Sequence, residues 1–328
     1  MLKIIVSRTK MLYRATMSKF VITGGAGYIG GHMAIRLVQD GHIVKVIDKT
    51  PKSSATLLSA LNNNNFSYLE ADICDSDLDS HILGFDTVIH FAANTDAKIG
   101  FENPDIDFQQ GIFQTFKVLQ AMKKSSVKKI IFSSSGTVYG DTTVIPTSEN
   151  VSLLSPISIY GASKLASENL INAFCHMYDM KSWIFRIANV IGKDSRKGVI
   201  FDLIKKLQKD SQLLDVLGNG DQSKDYVYID DCIDAILHAY EKSDEEINLY
   251  NIGSDSSISV KGIVQIILQE MNLNPKINYL GGPDGWKGGG WEGDITRVHL
   301  DTSKIKKTGW AQKMFSKEII KRAVKDIL

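Results

Sequence analysis

Residues 20–31, FVITGGAGYIGG, join an apolar, strand-like run to a helix-like run through a glycine-rich turn. Gly25, Gly27 and Gly30 match the spacing G-x-G-x-x-G, and Gly24, Gly27 and Gly30 match the wider G-x-x-G-x-x-G. Glycines at these places permit a tight turn, a close approach of the backbone to a pyrophosphate and close packing of helix on strand. An ordinary strand-to-helix turn is an equally good explanation of the glycines alone, so the surrounding sequence has to decide.

The sequence after this turn indicates a dinucleotide site. A second strand pattern, IVKVID, ends in Asp48 about 20 residues further on, where an acidic side chain can bind the hydroxyls of an adenosine ribose. Because a carboxylate there repels a 2′-phosphate, we expect NAD as the cofactor rather than NADP. We predict cofactor contacts at the turn and at the later strand ends, from Gly24, Gly27, Tyr28, Ile29, Gly30, Asp48, Asp72, Ile73, Phe91, Ala92, Ala93, Ser133, Tyr160 and Lys164.

Short apolar runs alternate with longer amphipathic stretches as far as about residue 188. This alternation predicts βαβ units, a parallel sheet with helices on both faces, and ligands at the carboxyl ends of the strands. The predicted fold is α/β, a Rossmann-type doubly wound parallel sheet with a smaller interleaved C-terminal lobe that binds the substrate. We assign residues 17–188 and about 224–253 to the NAD-binding domain, and about 189–223 and 254–328 to the substrate-binding lobe.

Composition and charge narrow the class of protein. The chain has 38 basic and 37 acidic side chains, a net charge of +1, which does not favour nucleic acid or an anionic membrane as a partner. Cys74, Cys175 and Cys232 are far apart, lack metal-ligand spacing and suit a reducing cytosol. We expect a cytoplasmic protein with a small-molecule ligand and no metal site. Residues 1–16 are expected to be an extension outside the fold, with Met17 at the start of the domain.

The most specific pattern is SSSGTVYGD from Ser133, followed by SPISIYGASK, which ends at Lys164. Tyr160 and Lys164 are spaced i and i+4 at the start of a predicted helix, so their side chains share one face. A free tyrosine has a pKa of about 10, and a base that works near neutrality needs a lower one. An ammonium about 4 Å away stabilises the phenolate by about 4 kcal/mol at an effective dielectric near 20. Ser135 could hydrogen-bond the substrate oxygen that exchanges the proton.

The motifs TGGAGYIG, HFAA, SSSGTVYGD, YGASK and KDYVYIDD resemble those of the extended short-chain dehydrogenase/reductases. Within that family they are similar to the nucleotide-sugar epimerases related to UDP-glucose 4-epimerase. The resemblance implies that Ser135, Tyr160 and Lys164 are catalytic. It also implies that Tyr160 takes the proton of the sugar 4-hydroxyl while C4 gives hydride to NAD. The 4-keto sugar then turns over and takes the hydride back on its other face, which interconverts UDP-glucose and UDP-galactose.

The resemblance also assigns a substrate site in the C-terminal lobe. It implies substrate contacts from Ser135, Thr137, Asn189, Val199 and Lys224, with Asn189 and Lys224 at the diphosphate and Val199 near the base. Two departures from the family pattern stand out. Trp291 replaces the arginine of an R-x-G-D element, and Gly111 and Gln114 replace the asparagine and glycine of N-V-x-G-T. Residues that could compensate at the diphosphate are Lys287, Arg297, Arg196 and Lys197, with Trp286 or Trp291 able to stack on a ring.

Other functions fit parts of the pattern. A 4-epimerase or decarboxylase acting on UDP-glucuronate or a UDP-pentose would share the three catalytic residues. A nucleotide-sugar 4,6-dehydratase needs acidic residues after the strand-end hydroxyl, where Gly136 and Thr137 stand, and a non-catalytic NAD sensor has no need of Tyr160 and Lys164. The resemblance further implies a homodimer that pairs through helices spanning about 106–122 and 160–178. Phe108, Phe113, Phe116, Phe174 and Met177 could line that interface.

Overall fold

A computed structural model describes residues 17–75, 77–281, 290 and 293–328 of the protein. Short strands alternate with helices along most of this chain. The strands are β1 (Lys19–Thr23), β2 (Ile43–Asp48), β3 (Phe66–Glu70), β4 (Thr87–His90), β5 (Lys129–Ser135), β6 (Lys181–Ile187), β7 (Asn189–Ile191), β8 (Leu213–Val216), β9 (Ser223–Tyr228), β10 (Ile247–Ile252), β11 (Ser257–Ser259) and β12 (Lys276–Tyr279).

The helices follow the strands in the order that the sequence pattern predicts. They are α1 (Tyr28–Gln39), α2 (Leu78–Ile82), α3 (Ala97–Glu102), α4 (Pro104–Asp107), α5 (Gln114–Ser125), α6 (Ile159–Tyr178), α7 (Val199–Lys209), α8 (Ile229–Lys242), α9 (Val260–Met271), α10 (Ser303–Lys306) and α11 (Ser316–Ile327). Among the described residues no helix is long and apolar enough to cross a membrane.

Seven strands form one parallel sheet in the order β10-β6-β5-β4-β1-β2-β3. The chain moves outward from β1 through β2 to β3 and then returns to place β4 on the other side of β1. This reversal opens a crevice beyond the carboxyl ends of β1 and β4, the place where open parallel sheets bind ligands. The predicted fold class, a doubly wound α/β sheet, is confirmed.

One predicted helix, 106–122, is interrupted. Pro104 begins the short helix α4, a π-helical segment follows at Phe108–Phe113, and α5 begins at Gln114. Within the π-helical segment Gly111 is buried against α6, and a Cβ atom on Gly111 would lie 2.8 Å from Ser163 Oγ. A larger residue would therefore push the two helices apart, and π-helical turns of this kind are frequent at functional sites.

The smaller strands lie outside the seven-stranded sheet. β9 pairs in parallel with β7 and antiparallel with β11, and β8 pairs with β12. β9 belongs to this second group, whereas β10 joins the main sheet. The exact division of the chain into two lobes stays a prediction.

A buried ion pair connects α6 to the sheet. Arg186 on β6 donates from Nε and Nη2 to both carboxylate oxygens of Glu168 on α6, at 3.0 and 2.7 Å. Ser134 at the end of β5 donates to the same carboxylate. Arg186 is 3% exposed and Glu168 is 3% exposed, so each charge depends on the other for compensation.

We expect Glu168→Gln to destabilise the fold by about 3 kcal/mol, because it leaves the buried Arg186 without a counter-charge. Urea unfolding followed by circular dichroism measures the loss. The double variant Glu168→Gln/Arg186→Met removes both charges and should recover much of the stability of the single variant. A single variant as stable as the parent would show that solvent, not Glu168, compensates Arg186.

Candidate active site

The glycine turn is held by direct contacts between backbone segments. Gly24 has φ +73°, and a Cβ atom on it would lie 2.4 Å from the Ala92 nitrogen at the end of β4. A Cβ atom on Gly30 would lie 2.4 Å from the Gly24 carbonyl oxygen. Real side chains cannot tolerate such distances, so both positions require glycine. The turn therefore brings β1, β4 and the start of α1 together at one point.

The start of α1 has the properties of an anion site. Gly27 is the N-cap residue and makes no side-chain hydrogen bond to the amides of the first turn, so these amides and the helix dipole remain available to a phosphate. Asp48 lies beside them at the end of β2. Its Oδ2 accepts a hydrogen bond from the Ala26 amide and its Oδ1 from the Thr50 amide, both at 2.9 Å. The residues present fit a dinucleotide, and Asp48 also stabilises the turn itself.

Two adjoining cavities open from this turn. The larger one has a volume of about 700 Å³ and the smaller one about 370 Å³. Both are lined by Gly24, Gly27, Phe91, Ala93 and Lys197. Predicted site residues that line the larger cavity also include Tyr28, Ile29, Gly30, Ser133, Ser135, Thr137, Tyr160, Lys164, Asn189 and Lys224. Those that line the smaller one also include Asp48, Asp72, Ile73 and Ala92. The fold thus brings together almost all of the residues singled out from the sequence.

The three predicted catalytic residues meet at the end of β5. Lys164 Nζ donates to the Ser133 carbonyl oxygen at 2.7 Å and lies 5.9 Å from the centre of the Tyr160 ring. Ser135 Oγ accepts hydrogen bonds from the amide and the hydroxyl of Thr137, at 3.2 and 3.0 Å. With its acceptor positions engaged by Thr137, Ser135 has its own hydrogen free to donate toward Tyr160 or a ligand.

Burial dominates the electrostatics of this site. It raises the pKa of Tyr160 to about 12, and the hydrogen bond with Ser135 offsets only part of that rise. It lowers the pKa of Lys164 to about 8, against the opposing effects of Glu168 and Asp107. The sequence argument expected Lys164 to lower the tyrosine pKa. In the protein alone the loss of hydration is the larger effect, because Lys164 is buried and Tyr160 is half-buried in the cavity wall.

A chain of buried polar side chains forms the floor beneath these residues. Thr23 Oγ1 lies 2.7 Å from His90 Nδ1, and His90 Nε2 lies 3.1 Å from Thr115 Oγ1. Thr115 donates in turn to the Gly111 carbonyl oxygen at 2.7 Å. Burial lowers the pKa of His90 to about 3, so the imidazole is neutral. This chain connects the strand before the glycine turn with the π-helical segment against α6.

The predicted diphosphate end is lined by charged residues. Lys224 forms an ion pair with Asp294, and Asn189 Nδ2 donates to the Asp225 carbonyl oxygen at 3.0 Å. Arg196 and Lys197 also line the larger cavity. Arg297 pairs with Ser223 as an isolated β-bridge and is absent from the described lining of both cavities. Trp286, Lys287 and Trp291 lie outside the described residues.

Val199 is the one predicted contact residue that the described lining of both cavities does not include. It begins α7, is half-buried and packs against the main core cluster. The apolar face of this amphipathic helix is what buries Val199, and that face points to the core. The contact of Val199 with the nucleotide base stays a prediction, and the packing of Val199 against the core does not favour it.

Sequence reasoning missed several cavity residues. Asn94 and Asp294 line the larger cavity, and Gln110 and Gln114 line the smaller one. In the sequence, Gln114 stood out only because it replaces a family glycine. In the structure it lines the smaller cavity, on the side of the site where the cofactor is expected. A signal existed for Asn94, which directly follows the HFAA motif, but a polar residue after a strand is too common to be specific.

Three comparisons place the chain among known proteins. A family described as "NAD dependent epimerase/dehydratase family" matches residues 20–253. A putative UDP-glucose 4-epimerase from Methanocaldococcus jannaschii is 33% identical over 315 residues, covering 93% of this chain and 96% of that protein. A crystal structure of a UDP-galactose 4-epimerase superposes with a TM-score of 0.80 at 32% identity, over 94% of this chain and 98% of the other.

A further crystal structure contains both kinds of ligand. The UDP-glucuronic acid 4-epimerase of Bacillus cereus, in complex with UDP-glucuronic acid and NAD, superposes with a TM-score of 0.85 at 25% identity. The match covers 94% of this chain and 98% of that one. The similarity therefore extends over the strands, the glycine turn and most of the smaller lobe.

We expect Gly30→Ala to weaken NAD binding at least tenfold, because the new Cβ atom would force the Gly24 carbonyl and the helix start apart. Isothermal titration calorimetry with NAD, and the NAD content of the purified protein, measure the effect. The matched control is Gly262→Ala in α9, where the closest atoms belong to the flexible Ile258 side chain. Equal NAD affinities for the two variants would contradict the assignment of this turn to the cofactor.

Proposed function

Because this chain belongs to the NAD dependent epimerase/dehydratase family, we propose that it catalyses the NAD-dependent epimerisation of a UDP-sugar at C4, interconverting UDP-glucose and UDP-galactose. Membership confirms the expected cofactor, NAD, and shows an enzyme of the NAD dependent epimerase/dehydratase family. The observation that carries the finer proposal is a single cavity of about 700 Å³, lined by the glycine turn, by Ser135, Tyr160 and Lys164, and by Lys224. A cofactor, a proton-transfer pair and a phosphate-binding cation thus share one space.

Residues of this chain would accept and return the proton that the reaction removes from the sugar. Tyr160 would hold or accept the proton of the sugar 4-hydroxyl, and Ser135, whose hydrogen bonds Tyr160 in the protein alone, would donate to the same sugar oxygen once substrate is bound. Lys164, a buried ammonium bound to the Ser133 carbonyl, would stabilise the tyrosine when it is ionised. An epimerisation returns the proton that it removes, so an enclosed tyrosine that exchanges it only with the substrate is sufficient.

The cofactor would be held by the start of α1 and by the smaller cavity. Amides after Gly27 would bind the pyrophosphate, and Asp48, Asp72 and Ile73 would line the adenosine end. NAD, when bound, supplies a hydride acceptor and donor and a positively charged nicotinamide ring. Tyr160 and Lys164 lie in the adjoining larger cavity, where they would orient the sugar and exclude water from it.

Several cationic side chains would bind the diphosphate. Lys224, Arg196 and Lys197 line the larger cavity, together with Asn189. Lys224 is already paired with Asp294, whereas Arg196 and Lys197 form no ion pair within the part of the chain that the structure describes. These two side chains are therefore the better candidates to replace the family arginine that Trp291 displaces. The same three catalytic residues would serve a 4-epimerase or decarboxylase acting on UDP-glucuronate or a UDP-pentose, so the sugar needs a direct test.

We further propose that the protein is a homodimer that pairs through α5 and α6. Phe116 and Phe174 already contact each other edge to face within the chain, at 6.1 Å between ring centres. Phe108 and Met177 remain 51% and 66% exposed, and exposed apolar side chains on adjacent helices are typical of such interfaces. Sedimentation equilibrium should give twice the mass of the chain, and Met177→Glu should lower it; a monomeric mass would contradict the proposal.

We expect the purified protein to convert UDP-glucose to UDP-galactose without added NAD, and Tyr160→Phe to lower the rate at least about 100-fold, because it removes the proton acceptor. Proton NMR of the anomeric region follows both sugars directly. The matched control is Tyr178→Phe, the same change at the far end of α6, where the rate should stay as in the parent.

Assays with several UDP-sugars distinguish the alternative substrates and the non-catalytic alternative. Turnover of UDP-glucuronate, UDP-xylose or UDP-arabinose in place of UDP-glucose would keep the proton chemistry and change the substrate. If no UDP-sugar reacts although NAD is bound, the catalytic proposal fails and a binding protein is the better explanation. Tyr160→Phe and Tyr178→Phe variants with equal rates would remove Tyr160 from its assigned role.

A further inference from the structure

Asp107 is a buried carboxylate that the proposed reaction leaves unassigned. It ends α4 and is 1% exposed. Its Oδ1 accepts a hydrogen bond from Asn94 Nδ2 at 2.9 Å, but its Oδ2 is buried and makes no hydrogen bond. Oδ2 packs against Gly100 of α3, where a Cβ atom would overlap it at 1.9 Å. A buried carboxylate oxygen without a donor is costly and needs a compensating charge.

The compensating charge lies on the catalytic helix. α3 and α4 both pack against α6, and Asp107 acts electrostatically on both Tyr160 and Lys164. Asn94, the hydrogen-bond partner of Asp107, lines the same cavity as those two residues. Through its hydrogen bond to Asn94, the Asp107 carboxylate lies directly behind the wall of the cavity that Lys164 and Tyr160 line.

The other titratable groups around Lys164 either have their own hydrogen-bond partners or carry no charge. Glu168, one turn further along α6, accepts hydrogen bonds from Nε and Nη2 of Arg186 and from the Ser134 hydroxyl. His90 on β4 is neutral and bonded on both ring nitrogens. Tyr160 is un-ionised until it gives up its proton. Among the groups described around Lys164, Asp107 is the carboxylate with an oxygen still free.

We propose that Asp107 is a positioning residue for the epimerisation: its carboxylate keeps the Lys164 ammonium charged beside Tyr160, and its hydrogen bond holds Asn94 in the cavity wall. This inference rests on the proposed function for its consequence in catalysis. Its electrostatic part concerns Lys164 alone and holds whichever sugar is the substrate. No bond to Asp107 is made or broken, and the carboxylate exchanges no proton with the sugar.

The negative charge of Asp107 affects the pH range in which Lys164 keeps its proton. Burial lowers the pKa of Lys164 to about 8, and the negative charges of Glu168 and, to a smaller extent, Asp107 oppose that fall. Without Asp107, Lys164 would lose its proton at a lower pH, and the phenolate of Tyr160 would then lack a cation to stabilise it. Activity that depends on charged Lys164 would therefore fail earlier as the pH rises.

The test compares Asp107→Asn with Asp105→Asn. Asn at 107 keeps the shape and can still accept from Asn94, so it removes the charge alone, whereas Asp105 is an exposed acid on the same short helix. In protein labelled with ζ-¹⁵N-lysine, the Lys164 resonance, assigned by its loss in Lys164→Arg, reports the titration directly. We expect its midpoint to fall by about one pH unit or more in Asp107→Asn and to stay unchanged in Asp105→Asn.

The pH dependence of turnover gives the second readout. The alkaline limb of kcat should move to lower pH in Asp107→Asn by the same amount as the Lys164 midpoint, while Asp105→Asn keeps the parent profile. An unchanged Lys164 midpoint in Asp107→Asn would overturn the proposal. If no sugar is turned over by any variant, the proposed function fails, but the midpoint shift still decides whether Asp107 sets the charge of Lys164.

If Asp107→Asn does not fold, the same interaction can be measured on the aspartate resonances of protein that retains Asp107. In protein with ¹³C-carboxyl aspartate, one aspartate resonance should show a step at the pH where Lys164 titrates, and Lys164→Met should abolish that step. Aspartate resonances that are indifferent to Lys164 would overturn the proposal equally.

Discussion

The Gly24 carbonyl oxygen occupies the space that a side chain at residue 30 would need, and the rest of the site depends on that contact. The contact requires glycine at position 30, whereas Gly24 is required by its φ of +73° and by its approach to the Ala92 backbone. The first-turn amides of α1 then face the crevice beyond β1 and β4, and Asp48 ties the turn to β2 through the Ala26 amide. A bulkier residue at either position would separate the helix start from the strand ends that carry Phe91 and Ala92.

Burial gives the site its chemical character. Closing β5, α6 and the π-helical segment over the crevice removes Tyr160, Lys164, His90 and Asp107 from water, and each group responds according to its charge. The pKa of the phenol rises, the pKa values of the ammonium and the imidazole fall, and the carboxylate pKa rises. Burial disfavours a cation in such a place and a nearby carboxylate favours it, so the carboxylates around Lys164 affect the pH at which it loses its proton.

The sequence predicted the strands well because each is a short apolar run bounded by turn residues. The runs IVKVID and KKIIFSSS became β2 and β5, and the helix 160–178 was right to within one residue because Ser158 caps it. The helix 106–122 was predicted as continuous, since its apolar pattern is continuous. Its interruption arises from the packing of Gly111 against Ser163, a contact between residues that are far apart in the chain. Val199 was assigned to the substrate on resemblance; in the structure it is half-buried on α7 and packs against the main core cluster, and its contact with the base stays a prediction.

The sequence by itself determined the fold class, the glycine turn and the placement of Tyr160 and Lys164 on one helical face, because these follow from local spacing and from short-range backbone sterics. Only the tertiary structure decided which charges accompany them. It placed Asp107 behind Lys164, Asp294 against Lys224 and Glu168 against Arg186. Those pairings join residues tens of positions apart in most cases, and their strength depends on burial, which no local pattern encodes.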